Sequence, residues 1–413
     1  MNRFFRMLLA TGVLMVATGA IAADNDADAR SVDAGGVSQQ FIDPSDMSQV
    51  PRLTRKVLFR AITKAKRGEH ADAIATLEEH LRDHPDHDHF LVRYHLGASH
   101  DALGRYEDAK LQYTRSVEME PRLDSGWFGL GHVEYNLGNY ASSGAAFLKA
   151  FRTAIDPQPE TLYFAAAGYM LAEDHETAAP LLDELCSGKW GVPRHDWYAQ
   201  LAQCAITLER PGLAEDRLEH YLQIQPDSHE AWFLRYQFEV GFERYREAAV
   251  SLTIVGYLRE LTPREQRTLG DLYNVVEVPA LASDRYRRAM DGDDTSAEDY
   301  ERLVSAYVAA HDLDEALAAL EEGLKTDPTV RLWSLLGDIH YMRQEYAESA
   351  RAFARVAELD PENGRPLLMI GYCHIEMGNR GLAIQNLVQA AKFDDQKDLA
   401  VRLLKRARKL KQA

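Results

Sequence analysis

Apolar and small residues recur along the chain at an interval of 34 positions. The segment LGASHDALGRYEDAKLQY, which begins at Leu96, is echoed by LGHVEYNLGNYASSGAAF, which begins at Leu130. A fixed period of this length is typical of stacked repeats, in which each unit buries its apolar face against its neighbours. The pattern therefore predicts an array of antiparallel helix pairs, with helices of about 14 residues.

The residues at individual positions resemble the tetratricopeptide repeat, whose pattern is W-x2-L-G-x2-Y…A-x3-F…P. Three copies carry this pattern clearly: they include Trp127, Leu130 and Gly131 in one, Leu303, Tyr307, Ala316, Leu320 and Pro328 in another, and Trp333, Leu336, Gly337, Tyr346, Phe353 and Pro361 in a third. The resemblance implies an all-α, right-handed superhelix, an α-solenoid. Its helices would pack closely where glycine and alanine face a large ring, as at Gly131 opposite Phe147.

Laid along residues 54–397, the period gives about ten copies, starting near residues 54, 90, 124, 159, 195, 229, 263, 297, 330 and 364. Copies four, six and seven match the pattern poorly. In copy six, for example, Arg235 and Tyr236 stand where Leu-Gly is expected. Copy seven still has a clear helix start, because Thr262, Pro263 and Glu265 have the spacing of a capping box with proline in the first turn.

The two ends of the chain have different patterns. Residues 1–22 combine Arg3 and Arg6 with an apolar run and end in Ala20-Ile21-Ala22, which predicts a cleaved signal peptide and a periplasmic protein. An uncleaved membrane anchor is the alternative, although the apolar run is short for a membrane span. Residues 23–53, rich in Asp, Ala, Gly and Ser, are predicted to form a disordered acidic linker.

Residues 398–413 are predicted to form a basic capping helix that closes the array. Leu399, Leu403 and Leu410 share one stripe of this helix, and its lysines and arginines lie elsewhere. The alternative is that the basic face contacts an anionic membrane or an acidic partner.

The charge balance limits the class of partner. The chain has 64 acidic and 47 basic residues and a net charge of −17, so most of its surface would repel nucleic acid phosphates. We expect a protein or peptide partner, with no cofactor, no small-molecule substrate and membrane association only through that partner.

Residues 80–100, HLRDHPDHDHFLVRYHLGASH, hold six of the 15 histidines. Because Pro85 takes the last position of the first repeat, His84, His87 and His89 are assigned to the turn between two repeats. The six imidazoles are then spread over two helices and a turn, whereas zinc needs three or four ligands around one point. The sequence therefore predicts no metal site.

No arrangement of catalytic groups is evident. Cys186, Cys204 and Cys373 lack CxxC spacing, and the expected helix register places Cys186 and Cys204 about 10 Å apart, beyond disulfide reach. The H-x-E of CHIE at 373–376 resembles a zinc deaminase motif, but the sequence has no P-C-x-x-C to complete it. We therefore predict that the protein is not an enzyme.

In tetratricopeptide arrays the first helix of each repeat lines a concave groove, so its second, fifth, ninth, twelfth and thirteenth positions predict a binding surface. In copies two to four these positions include Tyr94, Phe128, His132, Tyr135, Asn136, Tyr163, Met170 and Leu171. An aromatic groove with an amide and an imidazole suits an extended or proline-rich peptide. The alternative is that some of these rings pack between repeats. In copies seven and eight the equivalent positions are mostly charged: Arg264, Arg267, Asp271, Glu298 and Glu301.

Two stretches resemble a narrower group of proteins. LGDLYNVVEVPALASDRYRRAM and the ending GLAIQNLVQAAKFDDQKDLAVRLLKRARKL are similar to secreted repeat proteins associated with TonB–ExbB–ExbD energy transducers. The resemblance implies a periplasmic accessory of TonB-dependent uptake and carries over no binding residue. An envelope-assembly or chaperone-like factor that holds outer-membrane or non-native polypeptides is the alternative function.

Overall fold

The computed structural model describes residues 50–290 and 295–410. Within these ranges the chain forms 21 α-helices and two short 3₁₀ helices, without a strand. The all-α, helix-turn-helix fold class is therefore confirmed. The predicted signal peptide, residues 1–22, and residues 23–49 of the predicted linker lie outside the described residues.

The chain divides into two compact units, and the first ends at Pro226. This unit contains five pairs of helices, each packed against the next along the chain. The pairs are α1 (Arg52–Lys66) with α2 (His70–Asp83), α3 (Phe90–Ala102) with α4 (Tyr106–Met119), α5 (Asp124–Asn136) with α6 (Tyr140–Thr153), α7 (Pro159–Leu171) with α8 (His175–Cys186), and α9 (His195–Thr207) with α10 (Glu215–Ile224). Two 3₁₀ turns, Pro85–His87 and Pro211–Leu213, lie between helices.

The second unit begins at Asp227 and has five further pairs and a closing helix. The pairs are α11 (His229–Gly241) with α12 (Tyr245–Leu258), α13 (Pro263–Val275) with α14 (Pro279–Ala289), α15 (Ala297–Ala309) with α16 (Leu313–Thr326), α17 (Val330–Met342) with α18 (Tyr346–Leu359), and α19 (Arg365–Glu376) with α20 (Arg380–Ala390); the closing helix is α21 (Lys397–Arg408). None of the helices described in either unit is both long and apolar enough to cross a membrane.

Close contact between glycine and a large ring holds the pairs together, as the sequence predicts. A Cβ atom added to Gly131 in α5 would lie 2.9 Å from the ring of Phe147 in α6, and one added to Gly337 in α17 would lie 2.8 Å from the ring of Phe353 in α18. A larger residue at Gly131 is expected to cost about 1–3 kcal/mol through overpacking.

Each pair reverses direction at the same repeat position, where the backbone adopts a positive φ. Glycine occupies this position at Gly68, Gly104, Gly138 and Gly378. In the other pairs the position holds a residue with a side chain, at φ values between 55° and 63°: Glu173, Glu209, Glu243, Glu277, His311 and Gln344. A left-handed conformation costs such residues about 1–2 kcal/mol, so the packing of the pairs outweighs local preference in these six turns.

The ends of the repeat array differ from the predictions in two details. Helix α1 begins at Arg52, inside the predicted linker, because Val50 is buried and joins the first core cluster with Leu58. The buried stripe of α21 consists of Ala400, Leu403, Leu404 and Ala407, with Leu410 packed beside it. Leu399, which we expected in this stripe, is 42% exposed. Residues 411–413 of the predicted capping helix lie outside the described range.

Candidate functional site

The first helices of successive pairs form one surface in each unit, which we call the A-helix face. In the first unit, α1 contacts α3 and α3 contacts α5 across this face. The predicted binding residues lie on α3, α5 and α7, and they fall into several groups with different surroundings.

The fifth repeat position holds the aromatic residues Tyr94, Phe128 and Tyr163 in three consecutive pairs. Tyr94 is half-buried, and its ring centroid lies 6.0 Å from that of Tyr113 in its partner helix. Burial raises the pKa of both Tyr94 and Tyr163, and a carboxylate of the following pair, Asp124 or Asp196, raises it further. Both tyrosines are half-buried on the A-helix face.

Phe128 retains more free surface. Its ring centroid lies 5.3 Å from that of Phe147 in α6 and 6.4 Å from that of Phe164 in α7. The side chain is nevertheless 41% exposed. Phe128 thus has fixed neighbours on one side and area available to a ligand on the other.

One turn further along α5, His132 and Asn136 form a polar pair. His132 Nδ1 lies 3.1 Å from Asp101 Oδ2 of α3, and Asn136 Nδ2 lies 3.2 Å from His132 Nε2 and 2.9 Å from the His132 carbonyl oxygen. The hydrogen bond to Asp101 raises the pKa of His132. Asp101 was not among the predicted residues, but it occupies the twelfth position of copy two, a groove position, which is the signal that could have identified it.

The remaining predicted residues flank this polar pair. Tyr135 is half-buried against Tyr140, at a centroid distance of 5.6 Å. Met170 is half-buried and Leu171 is 41% exposed, both on the last turn of α7. Among the described residues no ring contact joins Tyr94 to Phe128 or Phe128 to Tyr135, so the aromatic side chains form separate clusters on this face.

In the second unit, the A-helix face holds charges that are paired with one another. Arg267 Nε of α13 lies 2.5 Å from Asp299 Oδ1 of α15, and Asp271 accepts a hydrogen bond of 2.7 Å from the Tyr286 hydroxyl. Nearer the C-terminus, Arg365 Nη2 of α19 lies 2.7 Å from Asp338 Oδ1 of α17. Burial raises the pKa of Glu301 in α15, the fifth-position residue of its pair.

The six histidines of residues 80–100 lie on two helices and the turn between them, as predicted, but three of them are less dispersed than expected. The rings of His80, His84 and His87 lie together, with centroids 5.2 to 5.6 Å apart. His89, in contrast, caps α3, because its Nδ1 accepts a hydrogen bond of 3.2 Å from the Leu91 amide. His95 is half-buried on α3, and burial lowers its pKa to about 4.

The cysteines do not form a reactive site. All three are buried and free, so Cys186 and Cys204 are not joined by a disulfide. Cys204 Sγ lies 3.8 Å from His175 Nδ1, but burial raises the pKa of this thiol to about 12. A nucleophilic cysteine needs a lowered pKa, so this pair lacks the chemistry of a thiol enzyme.

Two cavities lie away from the predicted binding residues. The first, of about 70 Å³, lies between α1, α2 and α3, and its lining includes His70, His95 and Ser99. The second, of about 410 Å³, lies between α18 and α19, with a lining that includes Arg351 and His374. Neither involves the aromatic residues of α3, α5 and α7.

A family model described as the tetratricopeptide repeat matches residues 94–160 and 301–364. These two regions, which make up less than half of the chain, are similar to the tetratricopeptide repeat. The first match covers most of α3–α4 and all of α5–α6, and the second covers most of α15–α16 and all of α17–α18. No curated protein shows significant sequence similarity to the chain.

Several solved structures are similar to the chain at low sequence identity. The protein YrrB, described as a tetratricopeptide protein with an unusual peptide-binding site, is 16% identical with a TM-score of 0.37, and the match covers 46% of this chain and 97% of YrrB. The MamA protein is 18% identical with a TM-score of 0.37, covering 42% and 96% of the two chains. A chain of the Cut9–Hcn1 hetero-tetramer is 11% identical with a TM-score of 0.33, covering 85% and 89%.

Proposed function

We propose that this protein is a scaffold or adaptor that binds an extended segment of a partner protein on the A-helix face of α3, α5 and α7. The observation that carries this proposal is the exposed flank of Phe128, which lies on the same helix as the hydrogen-bonding pair His132 and Asn136. A partly exposed ring supplies apolar area, and an amide next to an imidazole supplies donors and acceptors for a peptide backbone.

The charge of the chain favours a basic partner segment. With a net charge of −17, the protein attracts lysine and arginine residues at long range, and salt weakens this attraction. Proline-containing segments suit the site further, because they are extended before binding and lose little conformational entropy. We propose that neither a cofactor nor nucleic acid is needed.

The cellular setting belongs to the same proposal. The leader-like pattern of residues 1–22 supports export to the periplasm, and the two stretches similar to TonB-associated repeat proteins support a role as an accessory of TonB-dependent uptake. We further propose that the protein has no catalytic activity of its own. The protonated state of the buried Cys204 thiol supports this.

The test is a pair of double variants. Phe128→Ala with Tyr135→Ala removes two rings of the proposed site, whereas Glu298→Ala with Glu301→Ala changes the A-helix face of the second unit. Truncating a binding hot spot typically costs at least about 2 kcal/mol of affinity, roughly a thirtyfold loss. We expect the aromatic variant to lose a partner captured from periplasmic extract and the acidic variant to retain it.

Circular dichroism and thermal unfolding of both variants separate loss of binding from loss of fold, because Phe128 also packs on Phe147 and Phe164. Wild-type affinity in a folded aromatic variant would place the binding surface elsewhere. Equal binding of many unfolded polypeptides, independent of the two rings, would instead favour the envelope-assembly or chaperone-like function.

A further inference from the structure

Three histidines lie at and just beyond the C-terminal end of α2: His80 is in its last turn, and His84 and His87 follow it. The His84 amide donates a hydrogen bond of 2.9 Å to the His80 carbonyl, and the His87 amide donates one of 3.0 Å to the His84 carbonyl. Pro85 does not interrupt this path, because it starts the 3₁₀ turn Pro85–His87 and proline is tolerated in a first turn. His84 itself is not helical, with φ −136° and ψ 69°, and the resulting path of the chain still brings the three imidazole rings together.

The spacing of the three rings is that of imidazoles around a single ion. Their centroids are 5.2 Å apart for His84 and His87, 5.4 Å for His80 and His84, and 5.6 Å for His80 and His87. Three imidazoles bound to one tetrahedral ion, each through a nitrogen at about 2.0–2.1 Å, have centroids roughly 5 Å apart. As the side chains stand, no group of three His, Cys, Asp or Glu residues among the described residues is placed to hold a metal ion. Ion binding by this cluster therefore requires the rings to turn about their side-chain bonds.

Neighbouring groups leave nitrogen atoms of the cluster available. His80 Nε2 lies 3.1 Å from Thr54 Oγ1 of α1, so when that nitrogen carries the proton the unprotonated Nδ1 is free to bind a metal. His87 Nδ1 is buried and has no hydrogen-bond partner among the described residues. A carboxylate is also close, because Asp86 Oδ2 lies 3.9 Å from His87 Nε2.

We propose that His80, His84 and His87 bind one divalent transition-metal ion, with Zn²⁺ as the reference ion and water or the Asp86 carboxylate as the fourth ligand. Imidazole donors favour zinc, nickel and copper over magnesium and calcium, which prefer oxygen ligands. The ion would tie the end of α2 to the turn that leads to α3. The hydrogen bond between His80 and Thr54 would connect the metal site to α1.

The first experiment is a calorimetric titration of the full-length, untagged protein with ZnCl₂ after removal of bound metal. We expect one ion per chain and a higher melting temperature with Zn²⁺ than without it. His84→Asn and His87→Gln should each weaken binding at least tenfold and reduce the rise in melting temperature. Mg²⁺, added as magnesium chloride, should not bind to the three histidines.

His89→Gln is the matched control. His89 belongs to the same histidine–aspartate stretch, but its ring lies 4.4 Å from that of Phe90 and caps α3 instead of joining the cluster. Zinc binding by this variant should stay within about twofold of wild type. Equal loss in all three variants would show nonspecific chelation by the stretch and would overturn the proposal, as would the absence of zinc binding by the wild type.

Thr54→Val tests the geometry, since it removes the oxygen that orients His80 and keeps the side-chain volume. Loss of a hydrogen-bond partner of a metal ligand typically weakens metal binding by about 10–100-fold. We expect a loss in this range with unchanged helical content in the absence of metal. Wild-type zinc affinity in Thr54→Val would overturn the assignment of His80 as a ligand.

Discussion

The fifth repeat position of the A-helix face carries different chemistry in three helices of the first unit and in two helices of the second. The fifth position holds Tyr94, Phe128 and Tyr163 in the first unit, whereas in α13 and α15 of the second unit it holds Arg267 and Glu301. The aromatic side chains are partly buried, with Phe128 41% exposed. Arg267, in contrast, is bound to Asp299 of the next pair. The helices and their spacing are alike, so the difference lies in the side chains alone.

This difference is the physical reason for proposing the peptide site on the first unit. A charge that already has a partner on its own surface must lose that partner, or share it, before it can bind a peptide. A partly exposed ring loses only water when it is covered, and burial of apolar area is favourable. Exposure next to fixed neighbours is therefore a better indicator of a binding surface here than polarity.

The largest effect on stability is expected where a charge pair replaces the apolar pattern inside a repeat. In α11, Arg235 Nε lies 2.5 Å from Glu239 Oε1, and the side chain of Glu239 is 2% exposed. Arg235→Leu leaves this carboxylate buried with only the more distant Arg244, at 3.9 Å. We expect the free energy of unfolding, measured with urea, to fall by about 3 kcal/mol.

The double variant Arg235→Leu with Glu239→Tyr restores the residues that the repeat pattern expects at both positions. Replacing a buried ion pair by apolar groups is often neutral or stabilising, so this variant should recover at least wild-type stability.

Lys110→Met is the counterpart in the first unit. It removes Lys110 from Glu134, which keeps a 2.7 Å hydrogen bond from Asn139, so a loss of about 1 kcal/mol or less is expected. Equal losses of unfolding free energy in Arg235→Leu and Lys110→Met would show that the two charge pairs contribute equally to stability in the two units.

A smaller loss of stability is expected where the backbones of two helices are in contact. A Cβ atom added to Gly168 in α7 would lie 2.7 Å from the backbone nitrogen of Gly144 in α6. A side-chain ring can rotate away from such a contact, whereas a backbone atom cannot. Gly168→Ala should therefore lower the free energy of unfolding by about 1–3 kcal/mol.

Gly381→Ala in α20 is the control in the second unit, because nothing lies within 4 Å of an added Cβ there. This change should stabilise the protein by up to about 1 kcal/mol through helix propensity. Similar effects of the two substitutions in thermal unfolding would contradict the close approach of α6 and α7.

The fold could be predicted from the sequence because the residues that define the repeat pattern are the ones that pack the two helices of each pair together. Gly131 and Gly337 recur opposite large rings, and their periodicity predicts helix pairs without knowledge of any contact. Turns in which another residue replaces the usual glycine were not predictable in the same way. Glu243 and Glu277 turn the chain without glycine, and their strained φ becomes visible only in the folded backbone.

The candidate site was only partly predictable for a related reason. Repeat positions identify which side chains face the groove, so Phe128, His132 and Tyr135 could be named from the sequence. They do not show how much of each ring remains free after packing, because this depends on neighbours such as Phe164, 36 residues away from Phe128 along the chain. The histidine cluster is not predictable in this way, because it depends on how the chain turns at His84, between the end of α2 and the 3₁₀ turn that begins at Pro85.

The smallest expected effect compares two inter-repeat contacts at the ninth repeat position. His132 is bound to Asp101 in the first unit, and Asp338 is bound to Arg365 in the second. The hydrogen bond to Asp101 raises the pKa of His132 above its usual value of 6.5. The stabilisation is therefore complete below about pH 6.5 and is lost as the pH rises through the raised pKa of the folded state. Arginine stays charged throughout this range, so the second contact does not change.

Urea unfolding of the wild type, Asp101→Asn and Asp338→Asn at pH 5.5 and pH 8.5 measures this contrast. Asp101→Asn should be destabilising at pH 5.5 and nearly neutral at pH 8.5, with a difference below about 1 kcal/mol because both side chains are partly open to solvent. Asp338→Asn should have the same effect at both values. Comparing each variant with the wild type at the same pH cancels the contribution of histidines whose pKa is lowered by burial, such as His95, because they are common to all three proteins. An effect of Asp101→Asn that is independent of pH would mean that His132 binds Asp101 in its neutral form, and the two contacts would then be equivalent.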